Sequence, residues 1–215
     1  VSFGGPVFSV SSMCEALVKT GVQVTVFTIG YDAHTAYPVV QEVNGVTVHY
    51  FRRDAGKPCQ ISRQLWHALN KECQQFQAVH LHTWWNVLIF HSIRIVKKHG
   101  VPLVVSPRGM MSDYSFTHRK TLMKRSFQRL MGVGLLQQVH LHATSAAEAA
   151  EMAIRCERNP DQIFVMPNLL NLQATKNYDP VAGGYTLGFL SRLHHKKGIE
   201  ILLDAVAKSE NVTQL

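Results

Sequence analysis

The sequence has few cysteines, and they form no pattern. Its four cysteines are far apart, and no C-x-x-C pair occurs among the 215 residues: Cys14, Cys59, Cys73 and Cys156. Zinc clusters and disulfide frameworks need regularly spaced cysteines, so neither is expected. The pattern fits a reducing compartment, and we expect a cytoplasmic protein.

Long apolar runs are also missing. No stretch is long and apolar enough to cross a bilayer, while hydrophobic residues make up 46% of the chain and charged residues 17%, which is typical of a folded domain. The start, VSFGGPVF, has neither an initiator methionine nor the basic residues and cleavage site of a signal peptide. We interpret VSF as the last residues of a strand whose beginning is missing.

Acidic residues are scarce. The formal net charge is +8 and the pI about 9.5, which favours an anionic partner such as a phosphate ester, a membrane surface or nucleic acid. No acidic residue occurs between Asp113 and Glu148, whereas cations cluster there: Arg119, Lys120, Lys124, Arg125 and Arg129.

Strand patterns alternate with helix patterns along the chain. Helices are predicted at 9–20, 61–76, 85–98, 116–131, 146–156 and 197–207, and strands at 22–29, 79–82, 101–106, 139–145, 163–167 and 185–191. Asn44-Gly45 predicts a hairpin turn, and Ser145 with Glu148 a capping box. This alternation predicts an α/β fold with a Rossmann-like, doubly wound parallel sheet.

The tetrapeptide VHLH occurs twice, at Val79–His82 and Val139–His142. The segments that follow the two copies differ, so we interpret them as two strands of one sheet rather than as a repeat. Their four histidines are either zinc ligands or hydrogen-bonded core residues; no carboxylate or cysteine completes a metal site, so no metal is expected. His82 ends its strand, where ligands bind in such folds, and is a candidate catalytic residue.

Other strand ends also carry candidate residues. FGGPVFS opens a helix and is either a phosphate-binding or a plain tight turn, and it is not G-x-G-x-x-G. Arg108, in SPRGMM, either binds a phosphate or carboxylate of a ligand or pairs with Asp113. Trp84 and Trp85 either stack on a sugar or belong to the core.

The segment LGFLSRLHHKKGIEILLDAVA has the most specific pattern. Arg192 ends a predicted strand, and Lys197 precedes a predicted helix. Two cations and a helix N-terminus then converge at one strand end. Such a site suits a diphosphate whose charge grows as it leaves.

These blocks together resemble the retaining glycosyltransferases of family four (group 1), which have the two-domain GT-B fold. The resemblance covers FGGPVFSV, VHLHTWW, VPLVVSPRGMM, HATSAAEAAE, VMPNLLN and FLSRLHHKKGIEILLDA, in the order the family has them. It implies an acceptor-binding domain over residues 1–180 and the beginning of a nucleotide-sugar-binding domain over 181–215.

The resemblance assigns roles to individual residues. Gly4 and Gly5 match the family's glycine loop at the reaction centre, with Gly5 towards the donor diphosphate and Gly4 towards a sugar. Arg192 and Lys197 match the pair that grips the diphosphate. Another match is Asn168, a sugar or acceptor contact in the family's PN turn. Arg108 stands where many members have a histidine near the transferred sugar, and we expect it to be a catalytic-site residue that contacts the acceptor or donor rather than a base. Trp84 is a further expected sugar contact.

The implied activity is transfer of a sugar from a nucleotide-diphosphate sugar to a glycan or lipid-linked acceptor with retention, without a cofactor. The setting that the family suggests is synthesis of cell-surface polysaccharide or lipopolysaccharide. The family's paired glutamates lie further along the second domain than Leu215, so this chain is expected to be inactive alone. An isomerase or phosphorylase of the same fold, or a non-catalytic phosphate-binding domain, remains an alternative.

The basic segment has two interpretations as well. Leu122, Phe127, Leu130 and Met131 lie among its cations, so the helix either docks an apolar face on the sheet or rests on an anionic membrane surface. The second interpretation places residues 117–131 on the inner face of the membrane. Nucleic acid is not expected as a partner, because aromatic residues do not alternate with these cations.

Overall fold

The computed structural model describes residues 5–30, 36–55, 60–117, 121–169, 187–191, 193 and 197–209. The strands are β1 (Thr25–Ile29), β2 (Val39–Val43), β3 (Val46–Phe51), β4 (Val79–His82), β5 (Leu103–Ser106), β6 (His140–Ala143) and β7 (Ile163–Val165). The helices are α1 (Gly5–Lys19), α2 (Arg63–Glu72), α3 (Val87–Lys98), α4 (Asp113–Thr117), α5 (Thr121–Phe127), α6 (Val133–Leu136), α7 (Ala146–Cys156) and α8 (Ile199–Ala207).

The strands form two sheets. β4, β5, β6 and β7 make a four-stranded parallel sheet, in that order, with α3 and α7 packed against it. Both VHLH copies therefore lie in one sheet, as predicted, with β5 between them. This parallel sheet with its helices confirms the Rossmann-like α/β class.

The other sheet has three strands in the order β1-β3-β2. β1 runs parallel to β3, and β2 pairs antiparallel with β3 through the predicted hairpin. Asn44 and Gly45 have φ of 51° and 79°. A two-residue hairpin turn needs left-handed conformations at both positions, which asparagine and glycine adopt most readily. Within the described residues, neither β1 nor β4 has a strand on its other side.

The main core lies around the four-stranded sheet. It includes Trp84, Val105, Leu141 and Met152, all fully buried. The half-buried Phe27 of β1 packs against this core and also against the smaller cluster of Ile29, Phe51 and Leu65.

Side-chain caps fix where two helices begin. Ser145 accepts a hydrogen bond from the backbone N–H of Glu148 (3.1 Å), which confirms the predicted cap of α7. α3 begins at Val87 rather than at the predicted Trp85. Asn86 is extended (φ −150°) and its side chain accepts from Ile89 N, so it is the cap and not a helical residue.

The basic segment is not the single helix predicted over 116–131. Residues Gln128–Gly132 form a π turn between α5 and α6. Gln128 is buried there, and its amide accepts from Trp84 Nε1 (3.0 Å) and donates to the carbonyl of Arg155 (3.0 Å). A wider turn is a local departure that buried contacts of this kind can impose on a helix.

The chain divides into two compact units, Val1–Asn171 and Leu172–Leu215. The domain boundary predicted after residue 180 falls outside the described residues and stays a prediction. The described part of the predicted strand 185–191 is not a strand, because a strand exists only when it pairs with another and these residues have no ladder partner within the described part. α8 begins two residues later than predicted. No helix in the described ranges is long and apolar enough to span a bilayer.

Candidate functional site

Three segments of the first unit meet at the side chain of Arg108, which follows β5. Its Nε donates to His82 Nδ1 at the end of β4 (3.4 Å), and its Nη1 donates to Ser9 Oγ in α1 (3.4 Å). Nη1 also donates to Asn168 Oδ1, after β7. We call these residues the Arg108 cluster: Ser9, His82, Arg108 and Asn168. The structure thus brings together three residues predicted separately from the sequence.

The loop that carries Arg108 is held by buried neighbours. Trp85 Nε1 donates to the carbonyl of Met110 (2.7 Å), and Met111 is fully buried in the main core. The backbone N–H of Gly109 donates to Glu148 Oε1 (2.5 Å). Arg108 and Gly109 both have left-handed backbone, with φ of 55° and 75°. The guanidinium is therefore presented from a tightly fixed turn.

Among the residues that the structure describes, no carboxylate forms a salt bridge with Arg108. Asp113, the alternative partner considered from sequence, pairs with Arg155 instead. Burial lowers the pKa of Arg108, whereas the charges of Glu148 and Cys14 act to raise it. A guanidinium remains protonated in proteins, so this strand end carries a positive charge that no described carboxylate contacts.

A group of histidines extends from the cluster into the sheet. The His80 and His82 rings lie 4.1 Å apart, and the His80 and His142 rings 5.4 Å apart. Burial, followed by the neighbouring His142 and Arg108, lowers the pKa of His80 to about 4. Burial, followed by His80, Arg108 and His142, lowers the pKa of His82 to about 2. Both rings are neutral at physiological pH.

Hydrogen bonds define the proton positions on two of these rings. His82 Nδ1 accepts from Arg108, so the proton of the neutral ring is on Nε2. His142 Nε2 lies 2.9 Å from the carbonyl of Met166, which can only accept, so Nε2 of this ring carries a hydrogen. The buried His142 Nδ1 and His80 Nε2 have no partner in the described structure.

Three of the other predicted site residues lie in the described ranges: Gly5, Trp84 and Lys197. Gly5 begins α1 with open space on its Cβ side, and Lys197 is exposed in the second unit, before α8. Gly4 and Arg192 lie outside the described residues. Trp84 is fully buried, with its indole N–H bonded to Gln128, so it presents no ring face to a sugar. The core interpretation of Trp84 is the one that the structure favours.

Sequence reasoning missed two polar residues of this region. Ser9 was part of a helix pattern, and nothing in its neighbourhood pointed to Arg108. Glu148 was recognised only as part of a helix cap. Its carboxylate in fact accepts from Gly109 N, Thr144 N (2.7 Å) and Thr144 Oγ1 (2.6 Å). The S-x-x-E pattern identified Glu148 as a polar residue at the helix start. It could not predict the hydrogen bond to Gly109, because the two residues are 39 positions apart in the sequence.

Within the described ranges, histidines, cysteines and carboxylates do not gather into a metal-binding arrangement. In the ranges that the structure describes, no group of three or more such residues is placed to hold a metal ion. The His80 ring lies tilted against that of His82, and the His142 ring stacks parallel on Phe164 at 4.8 Å. Their geometry is that of packed rings.

Comparison with known families identifies the domain. The family described as "Glycosyl transferase 4-like domain" matches residues 4–168, which is most of the chain. The chain belongs to this family. The glycosyl transferase 4-like match includes the whole Arg108 cluster, and it ends before Arg192 and Lys197. No curated protein matches the chain.

Proposed function

We propose that this protein transfers a sugar from a nucleotide-diphosphate sugar to a glycan or lipid-linked acceptor, with retention of anomeric configuration. Membership of the glycosyl transferase 4-like family supports a glycosyltransferase. The donor type, the stereochemistry and a role in cell-surface polysaccharide or lipopolysaccharide synthesis are our proposals from the sequence resemblance. We place the reaction at the cytoplasmic side of the membrane.

The observation that carries the proposal is the positive charge of Arg108, which forms no salt bridge within the described residues. It stands at the carboxyl ends of parallel strands, where open α/β sheets bind ligands. Within the described residues its hydrogen-bond partners are neutral: a serine, a neutral histidine and an amide. A half-buried guanidinium held by neutral acceptors is suited to a phosphate or an anionic sugar substituent.

The proposed chemistry breaks the bond between the anomeric carbon and the phosphate oxygen and forms a bond from that carbon to the acceptor oxygen. The acceptor's proton goes to the departing phosphate, so atoms and charge balance. Arg108 contacts the donor near this centre, and Arg192 and Lys197 stabilise the charge that grows on the leaving diphosphate. Gly4 and Gly5 let the backbone approach the substrate closely.

A binding experiment tests the proposal that Arg108 binds an anionic group of the donor. Titration of the 215-residue chain with inorganic pyrophosphate should give a binding isotherm that Arg108→Ala weakens at least about tenfold, the loss expected for a charge-assisted hydrogen bond. Arg94→Ala, an exposed arginine on α3, is the control and should bind as the wild type does. Equal binding by all three proteins would contradict the assignment.

Product analysis with radiolabelled nucleotide sugars distinguishes the alternatives. A transferase moves label to the acceptor, an isomerase leaves it on the nucleotide sugar, and a phosphorylase produces a sugar phosphate. We expect binding without turnover from this chain; turnover would contradict that expectation, and its product would then identify the class of reaction. A salt-dependent shift with oligonucleotides would instead indicate a nucleic-acid-binding domain.

An anionic membrane is the partner that we propose for the basic segment. Leu122 and Leu130 are each 80% exposed and Met131 is 42% exposed, so these residues do not dock on the sheet. Arg125 and Arg129 are exposed beside them. Exposed leucines among arginines, in a stretch without acidic residues, match the chemistry of an anionic bilayer surface.

A further inference from the structure

We propose that Glu148 is a positioning residue for Arg108: by fixing the backbone turn at Arg108 and Gly109, it sets where the guanidinium meets its anionic ligand. This inference rests on the proposed function, because it assumes that Arg108 binds the substrate. Glu148 itself does not touch the substrate.

The hydrogen bonds of the Glu148 side chain differ from those of an ordinary capping box. In a capping box the glutamate side chain returns to the backbone N–H of its own cap residue, here Ser145. Glu148 bonds instead to Thr144 through Oε2 and reaches across to Gly109 N through Oε1. From the described residues its carboxylate accepts three hydrogen bonds, and Glu148 is 6% exposed. One buried carboxylate therefore joins the start of α7 to the Arg108 turn.

The turn needs this support because its conformation is unfavourable. A non-glycine residue with left-handed backbone is strained by about 1–2 kcal/mol, and Arg108 has a φ of 55°. The next residue also has a positive φ, which Gly109 adopts without steric penalty. A buried, charge-assisted hydrogen bond to Gly109 N opposes relaxation of this turn.

Glu148 also acts on the charge of Arg108 without neutralising it. The described residues show no salt bridge between the two side chains. The carboxylate oxygens of Glu148 accept from backbone and hydroxyl donors, so they do not form an ion pair that would neutralise the guanidinium. Its negative charge nevertheless favours the protonated arginine, against the effect of burial.

The ring nitrogens of His82 give a readout that needs no ligand. Because Arg108 Nε donates to His82 Nδ1, two-bond ¹H–¹⁵N NMR spectra of the wild type should show the Nε2–H tautomer. Glu148→Gln should release the turn and give a mixture of tautomers. Glu151→Gln is the matched control, since Glu151 also holds a backbone N–H, that of Asp113 (3.1 Å), from the same helix. An unchanged His82 spectrum in Glu148→Gln would overturn the proposal.

Pyrophosphate titration then separates this inference from the proposed function. If both hold, Glu148→Gln weakens pyrophosphate binding at least about tenfold and Glu151→Gln leaves it unchanged. If the wild type does not bind pyrophosphate, the proposed function fails, and the His82 spectra still decide the positioning role.

A second variant covers the case in which Glu148→Gln does not fold. Thr144→Val removes one hydroxyl donor to Glu148 and keeps the backbone donors. It should shift the His82 signals in the same direction by a smaller amount. His82 signals identical to those of the wild type in Thr144→Val would then count against the proposal.

Discussion

The residues around Arg108 combine one charge with several neutral rings. His80 and His82 are held neutral by burial and by the adjacent arginine. They therefore add hydrogen-bonding capacity to the site without adding charge. A single fixed cation among neutral groups can orient one anionic group while leaving sugar hydroxyls to neutral partners.

Stability should fall as the pH drops below about 6.5, because of these rings. In the unfolded chain a histidine takes up a proton near pH 6.5, whereas folded His80 does so only near pH 4. The unfolded state thus binds more protons between these values, and each such histidine lowers the free energy of unfolding by about 1.4 kcal/mol per pH unit. Above pH 7 this contribution is absent. Urea unfolding from pH 7.5 to 4.5 measures it.

His80→Gln should flatten that dependence, and His140→Gln should not. His140 is exposed in β6 and serves as the matched control. If the free energy of unfolding of His80→Gln depended on pH as steeply as that of the wild type, the lowered pKa assigned to His80 would be wrong.

Some site residues could be predicted from the sequence, but their contacts with one another could not. Ser145 was identifiable as a cap, and His82 and Arg108 as candidates, because each sits at a predicted boundary between elements. The bonds from Arg108 to Ser9 and Asn168 span 99 and 60 residues. Contacts over such distances depend on the finished packing, which local patterns do not encode. The burial of Trp84 is a consequence of the same packing.

At the scale of elements, the π turn should depend on the absence of a side chain at Gly132. A Cβ there would lie 2.5 Å from Gln128 Oε1, whose amide is fixed by Trp84 and Arg155. Gly132→Ala should therefore destabilise the fold by about 1–3 kcal/mol, as overpacking does. Urea unfolding measures the loss.

Gly134→Ala is the internal comparison. Gly134 lies in α6 with nothing within 4 Å of its Cβ position, so alanine should stabilise the helix by about 0.5–1 kcal/mol. Opposite signs for the two glycines support the packing seen at Gln128. A gain in stability in both variants would argue against it.

The segment from α5 to α6 should bind anionic vesicles through its exposed leucines. Leu122→Ser with Leu130→Ser should reduce co-sedimentation with phosphatidylglycerol-containing vesicles by at least about tenfold, since two buried leucine side chains contribute roughly 3 kcal/mol or more. Added salt should weaken the wild-type interaction.

Ile154→Ser tests whether any exposed apolar side chain, inside or outside the basic segment, contributes to vesicle binding. Ile154 is 73% exposed on α7, outside the basic segment. Its substitution should leave vesicle binding unchanged. Equal sedimentation of the wild type with neutral and anionic vesicles would refute the proposal that the basic segment binds an anionic membrane.

For the whole molecule, the question is whether the net charge of +8 or particular cations bind the donor. Arg192→Ala with Lys197→Ala removes two positive charges, and so does Lys19→Ala with Lys98→Ala, at two exposed lysines. Only the first pair should weaken pyrophosphate binding, by about tenfold or more. Titrations at several salt concentrations separate general attraction from the site.

If both pairs weakened binding equally, the proposal for Arg192 and Lys197 would fail. Non-specific attraction by a basic chain would then explain the result.

The overall α/β architecture was predictable because it depends on local periodicity. Alternating β-branched runs and amphipathic helices predicted β4, β5, β6 and α7 with nearly their observed bounds. The separation of β1–β3–β2 from the parallel sheet was not predictable, because no local pattern specifies which strands become neighbours. The π turn was missed for a related reason: buried contacts of Gln128, not helix propensity, determine it.

The unpaired side of β4 has a consequence for solvent exchange. The backbone N–H groups of Val79 and Thr83 point towards β5 and donate to Ser106 O of that strand and to Pro102 O just before it (both 2.9 Å): Val79 to Pro102 and Thr83 to Ser106. Alternation along a strand turns the N–H groups of His80 and His82 to the other side, where the described structure offers no strand. In deuterium oxide these two amides should lose their protons well before that of Val105, in the middle of the same sheet.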